Sequence, residues 1–333
     1  MTTINDIAAR LGISKSTVSK GLNNARDVSE EMRKKILETA VEMGYVNRRL
    51  QKKEKKLCIL VENMEYQTPN QFGHDLILGF KQMAEPDGWK IDVVPLDKEF
   101  QRGIPYTVFM MEHGYQASFV LGFSLLDPWI HEFRTSRIPA VLYDNYIKEN
   151  PNIASVGCDS QEGFELAVKH LVNLGHQKIG LISGPLDSYI LKARYSAYLN
   201  AMDKYGLEIN EKYIGLEYYI NDSTRKYVPR LLDEGVTAIL FSHDIRAISA
   251  ITECEDRGIS IPGDVSIIGF DDLPIAAHTQ PPLTTVRQDR LALGKCGFYA
   301  LSCLLNQVAI GSILLRATLI VRNSTGPAPQ KTV

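Results

Sequence analysis

Apolar residues recur at helical spacing in three short stretches at the start of the chain. Ile4, Ile7, Ala8 and Leu11 make one face, with Thr3 placed to cap the first helix and Asp6 at the capping-box position. Gly12 breaks that pattern. Ser14 caps a second stretch, which turns Val18 and Leu22 inward and Lys15, Ser16, Ser19 and Lys20 outward, and Asn23-Asn24 ends it. Ser29 caps a third, in which Met32, Ile36, Leu37, Ala40 and Val41 form the buried stripe and Gly44 supplies the stop. A helix, a tight turn containing Gly and a short second helix with small polar and basic residues outward is the pattern of a helix-turn-helix. By itself the pattern also suits a three-helix bundle with an ordinary polar face.

From Leu57 the texture changes to short apolar runs separated by helical patterns. Strands are predicted over Leu57–Val61, Ile91–Pro95, Ser118–Leu121, Ala140–Tyr143, Ile179–Ser183, Ala238–Phe241 and Ser266–Phe270, with helices such as Phe164–Leu174, Ala193–Lys204 and Ile248–Arg257 between them. Continuous apolar strands alternating with helices predict one or two doubly wound parallel sheets, with ligands at the carboxyl ends of the strands.

Charge divides the chain in the same place. The whole holds 37 Lys and Arg against 39 Asp and Glu; residues 1–56 hold 13 and 7, leaving 24 and 32 for the rest. A basic head on an acidic body points to a nucleic-acid-binding module joined to something else. The five cysteines, Cys58, Cys158, Cys254, Cys296 and Cys303, are odd in number and lack metal spacing, which predicts reduced thiols and no metal site. The chain shows no signal peptide and no run of membrane-spanning length, so a cytoplasmic protein without a membrane partner is expected.

The wording of the head goes further. Ile4-Asn-Asp-Ile-Ala-Ala-Arg-Leu-Gly-Ile-Ser-Lys-Ser-Thr-Val-Ser-Lys20, Val28-Ser29 and Met43-Gly44-Tyr45 resemble the N-terminal signature of the lactose/galactose repressor (LacI/GalR) family, most specifically in Ser14, Thr17, Val18 and Ser19. His170–Ile179, Ser183-Gly-Pro-Leu186, Gly269-Phe-Asp-Asp272, Pro282–Gln288 and Leu319–Thr325 extend the resemblance through the body in the family's order. It implies a helix-turn-helix head over residues 1–46, a basic hinge over 47–56 and an effector-binding, dimerising domain over 57–333. That domain should have two periplasmic-binding-protein-like lobes, with crossings near 158–162, 286–290 and 317–320. Lys15, Ser16 and Lys20 then fall at base-reading positions, and Thr17, Ser19, Asn23 and Ser29 at phosphate-contacting ones. In the hinge, Asn47 stands in the family's proline place and Glu54 where a minor-groove leucine is expected, while Leu50 is placed to pack hinge against hinge. The implied partners are palindromic double-stranded operator DNA, a small-molecule effector, expected to be a sugar, and a second copy of the chain.

Candidate effector residues are polar groups at strand ends. Arg194 can grip paired hydroxyls or a carboxylate with its fork, or pair with Asp271. Asp271 and Asp144 can accept bonds from hydroxyls, and Gln288 stands beside an expected crossing. His243, in the place of the family's asparagine, can face a pocket or serve a structural role. Tyr219 falls where the family places a stacking aromatic, and Tyr66 and Phe72 can supply an apolar wall. Asp272 and Asp159 are expected to cap helices, and His170 and His176 to be turn and helix-end residues. A nucleotide-binding enzyme is the rival of another class. Neither the phosphate-binding Gly-rich loops, the Gly-x-Ser-x-Gly elbow nor a His/Cys metal cluster occurs, so neither catalytic residues nor a cofactor are expected. A dimeric sugar sensor with little specific DNA binding is the second alternative.

Overall fold

In the computed structural model, the described residues are 2–23, 25, 27–45 and 55–329. The expectations for Leu50 and Glu54 lie outside them.

The head holds α1 (Ile4–Leu11), α2 (Lys15–Leu22) and α3 (Glu30–Glu42). Each start is capped as its sequence dictates. Thr3 Oγ1 accepts from the Asp6 N–H while the Thr3 N–H donates to Asp6, and Ser14 and Ser29 accept from the N–H groups of Thr17 and Met32. Gly12 closes α1 in the left-handed region (φ 64°), where a side chain would be strained. Ile7, Val18, Leu22, Ile36, Leu37 and Ala40 form the head's core, which Val108 joins.

The remaining elements are β1 (Lys56–Val61), α4 (Phe72–Ala84), β2 (Lys90–Pro95), α5 (Lys98–Gly103), α6 (Tyr106–His113), β3 (Ser118–Leu121), α7 (Pro128–Phe133), β4 (Ala140–Tyr143) and β5 (Ile153–Cys158). After them come α8 (Ser160–Asn173), β6 (Ile179–Ser183), α9 (Tyr189–Lys204), β7 (Ile214–Leu216), α10 (Ile220–Asp233), β8 (Ala238–Phe241) and α11 (Asp244–Asp256). The series closes with β9 (Ser266–Asp271), β10 (Thr284–Arg287), α12 (Arg290–Leu305), β11 (Ser312–Leu315) and β12 (Thr318–Ile320).

Two six-stranded sheets result, in the orders β11-β5-β4-β3-β1-β2 and β12-β10-β9-β8-β6-β7. The pairs β1 to β2, β1 to β3, β6 to β8 and β8 to β9 are parallel, whereas β12 runs antiparallel to β10. All seven expected strands form, three of them one residue longer than expected. The strands β5, β7, β10, β11 and β12 were not among the expected strands. The apolar run Ile313–Val321 was of strand length, and the structure divides it between β11 and β12, whose positions are exposed or half-exposed, while β7 has only three residues.

The chain forms two compact units. One runs to Met64 and includes Ile77–Val156 and Gly294–Ile313; the other holds Glu65–Leu76, Gly157–Leu293 and the chain from Leu314. The head groups with the first unit. Besides the changes at either end of Glu65–Leu76, the chain changes unit at 156/157, 293/294 and 313/314, within β5, α12 and β11 and a few residues from the expected crossings. The hinge boundary is also corrected. Lys56 opens β1, pairing with Asp92 at 2.9 Å, and Lys55 donates to the Asp87 carbonyl, so both lysines belong to the body.

In the first unit, Glu62 follows β1 into a buried position, where Gln101 donates to it at 3.2 Å. Burial and the neighbouring Asp127 carboxylate push Glu62 up to about 8, so it carries the proton of the pair, while Lys98 holds Asp127 at 3.1 Å. This cluster was not anticipated from sequence.

Candidate functional site

Two sites emerge, one in the head and one at the carboxyl rim of the second unit's sheet. In the head, α2 buries Val18, Gly21 and Leu22 and exposes Lys15, Ser16, Lys20 and, beyond its end, Asn23. A Cβ at Gly21 would stand 2.5 Å from Ile36 Cδ1, so the Ile36 side chain packed between α2 and α3 would have to shift. Several polar groups of this face are already engaged. Thr17 Oγ1 lies 2.8 Å from Ser14 Oγ, Asn23 Nδ2 donates to the Ser19 carbonyl at 2.6 Å, and Ser29 caps α3. Lys20 is paired with the exposed Asp27. Solvent screens an exposed pair of this kind, so Lys20 can leave it for a stronger acceptor.

In the second unit, the strand ends carry the polar groups. Arg194, buried in α9, donates to the Ser242 carbonyl, approaches Asp271 at 3.6 Å and lies 4.0 Å over the Phe270 ring. Gln288 Nε2 donates to Asp271 Oδ1 at 2.7 Å. Asp271 holds a left-handed φ of 122°, and burial raises its carboxyl against the pull of Arg194. Arg194, Asp271 and Gln288 therefore form one cluster, in which Arg194 makes the ion pair foreseen as its structural alternative.

The other expected residues are distributed around it. His243 caps α11, its Nδ1 accepting from the Arg246 N–H at 3.2 Å. Burial, and then the guanidiniums of Arg246 and Arg194, push that imidazole down to about 3. Phe72, at the start of α4, lies under the guanidinium of Arg290, which also donates to the Asp271 carbonyl at 3.0 Å. Tyr219 precedes α10 with 66% of its surface exposed, edge-on to Tyr218, and is not part of the cluster. Tyr66 is half-buried between β1 and α4. Asp144 follows β4 in the first unit at φ 51°.

Asp159 caps α8 as expected, but Asp272 caps nothing; it accepts from Arg287 and Arg322, each at 2.6 Å. His176 is buried between Thr237, Ser266 and the Gly326 carbonyl, and His170 meets Thr325. Sequence reasoning missed Arg246, buried beside His243, and Asp244, which accepts from Thr285 and from the Leu273 N–H at 2.8 Å. Their place directly after β8 was a usable signal. Among the described residues no group of three His, Cys, Asp or Glu could hold a metal ion, and no helix is long and apolar enough to cross a membrane.

The depressed imidazole has a measurable consequence. A histidine held neutral in the fold adds stability that is fully present above its unfolded value near 6.5 and is lost as pH falls towards its folded value. His243→Asn keeps a cap acceptor without a titrating group. Thermal unfolding between pH 7 and pH 4 should show the native protein losing more stability than this variant. Equal losses would contradict the assignment.

Both parts of the chain match known proteins. A model of the lacI family of bacterial regulatory proteins matches residues 3–47, and a periplasmic binding protein-like domain matches residues 168–325. The HTH-type transcriptional regulator AscG of Escherichia coli (strain K12) is 30% identical over 298 residues, covering 86% of this chain and 87% of that protein. The HTH-type transcriptional repressor CytR of the same strain is 28% identical over 338 residues, covering 98% and 97%. A solved transcriptional regulator CelR–cellobiose complex superposes with a TM-score of 0.71 at 24% identity, covering 97% of this chain and 100% of that one.

Proposed function

The chain belongs to the lacI family of bacterial regulatory proteins, and on that premise we propose that it is a sequence-specific transcriptional repressor working as a dimer on palindromic operator DNA. Its operator affinity is set by a small polyhydroxylated effector, a sugar or sugar derivative, held by Arg194, Asp271 and Gln288. The observation that carries the reading is the exposed face of α2: Lys15, Ser16 and Lys20 stand outward on a helix whose buried side is locked to α3. A helix so presented fits the major groove, where side chains meet base edges and capping groups meet phosphates. The arginine cluster suits a ligand that offers paired acceptors and donors, and the cellobiose bound by the similar regulator supports a sugar. A cytoplasmic location follows from the DNA partner.

Base and phosphate contacts separate in mutants. Lys15→Ala should relax sequence preference, since one good base contact is worth about 1–3 kcal/mol of discrimination. Thr17→Val should weaken binding to all duplexes alike, because its hydroxyl serves the Ser14 cap and the backbone of the DNA. Titrating each variant against operator and scrambled duplex at fixed salt separates the two. An equal loss on both duplexes for Lys15→Ala would remove it from the base-reading set.

A further inference from the structure

The carboxyl rim of the second unit holds a buried cation that the sugar-binding cluster does not explain. Arg246, in the first turn of α11, is 2% exposed. Its guanidinium donates to Ser223 Oγ and, at 3.4 Å, to the Tyr218 carbonyl. Among the described residues its Nε meets no hydrogen-bond partner, and Arg246 forms no ion pair. Glu217 acts on it only at longer range and pairs instead with Lys226 at 3.7 Å. A buried guanidinium without a carboxylate is costly, and such a charge is ordinarily paired.

Further groups at the same rim lack partners. The Oγ atoms of Ser183 and Ser242, at the ends of the adjacent strands β6 and β8, are buried and meet no partner among the described residues. Gly184 carries no side chain here; a Cβ there would stand 2.9 Å from Leu191 Cδ1 and 3.6 Å from Arg246 Nη2. The amino end of α11 opens onto this rim, capped by a neutral imidazole, while α10 begins nearby without a side-chain cap. Asp222 in the first turn of α10 and Glu217 are acids of this edge, beside the buried Asp244 and Asp271 already engaged by Thr285, the Leu273 N–H, Arg194 and Gln288. Arg194 is matched by Asp271 and Arg290 by Asp75, while the buried Asp244 is held by Thr285 and the Leu273 N–H, so among the described residues Arg246 is the guanidinium of this rim without a carboxylate.

We propose that the effector carries an anionic group, a carboxylate or a phosphate, and that Arg246 receives it at the carboxyl ends of β6 and β8 with Ser183 and Ser242. The guanidinium fork, two hydroxyl donors and a helix amino end are complementary to paired anionic oxygens. Arg194, Asp271 and Gln288 then hold the hydroxylated part of the same molecule. The inference rests on the effector role assigned to this rim above.

The test titrates the full-length protein with inorganic phosphate, acetate and glucose at an ionic strength held constant with chloride, following heat of binding and unfolding temperature. Phosphate or acetate should bind saturably and raise the unfolding temperature. Affinity should fall about 30-fold or more in Arg246→Met, the expected loss for a buried charge-assisted contact, and less in Arg246→Lys. Failure of both anions to act beyond chloride on the native protein overturns the proposal, whatever the fold of the variants. So does anion binding that survives unchanged in a folded Arg246→Met. Operator binding in the same samples separates the two readings. Release by a neutral sugar but not by anions leaves the effector role standing and removes the anionic group. Anion binding at Arg246 that never alters operator affinity keeps the site and removes the effector role.

Discussion

Arg194→Ala is expected to abolish the response to effector while operator binding persists. The side chain is buried, its fork spans the Ser242 carbonyl and Asp271, and its Cζ lies 4.0 Å over the Phe270 ring. Truncating such a contact costs about 2–5 kcal/mol of ligand binding, or more than an order of magnitude in affinity. The fold survives because Asp271, whose carboxyl burial already raises, can take up a proton once its cation is gone, and Gln288 still donates to it. The variant should therefore lose more stability at alkaline than at mildly acidic pH, where the proton comes easily. Operator binding with and without effector, alongside unfolding at two pH values, checks both halves. A variant that still releases operator at ordinary effector concentrations would take Arg194 out of the site.

The second large effect is expected at Gly269, inside β9. A Cβ there would stand 2.2 Å from Asp244 Oδ1 and 3.0 Å from Leu283 Cδ2. Asp244 is fully buried and cannot retreat without giving up its bonds from Thr285 and from the Leu273 N–H, which fix the segment after β9. Burial, and then the charge of Asp271, raise this carboxyl well above the usual range. Gly269→Ala should destabilise the protein by about 3 kcal/mol or more, through overpacking and two broken buried hydrogen bonds. Urea unfolding measures it, and a midpoint close to that of the native protein would show that Asp244 has room to move.

These two residues illustrate what the sequence conveys. Arg194 and Gly269 sit in motifs whose wording could be matched, and the apolar runs of the buried strands announced the sheets around them. The caps at Thr3, Ser14 and Ser29 are local chemistry, legible within four residues. Arg246 and Glu62 were not legible, because their burial depends on segments distant in the chain: Tyr218 and Ser223 cover the one, Gln101 and Asp127 the other. Asp272 was misread as a cap for the same reason, since Arg322 reaches it from 50 residues further on. Tyr219 was placed by resemblance alone, and in the structure it stands exposed beside Tyr218, outside the Arg194 cluster. The apolar run Ile313–Val321 marked β11 and β12 only as one stretch, because nothing within it tells that the chain breaks between two sheets.

The central claim is that α2 reads DNA sequence. Selection of binding sites from a pool of randomised duplexes, carried out with the full-length protein at near-physiological salt, tests it most directly. Specific affinity typically exceeds non-specific affinity by 10³-fold or more under such conditions, so a few rounds suffice to enrich a true site. The account predicts convergence on a palindrome whose half-sites change when Lys15 is replaced by alanine. A pool that remains unselected, bound with the same affinity as scrambled duplex, would contradict it.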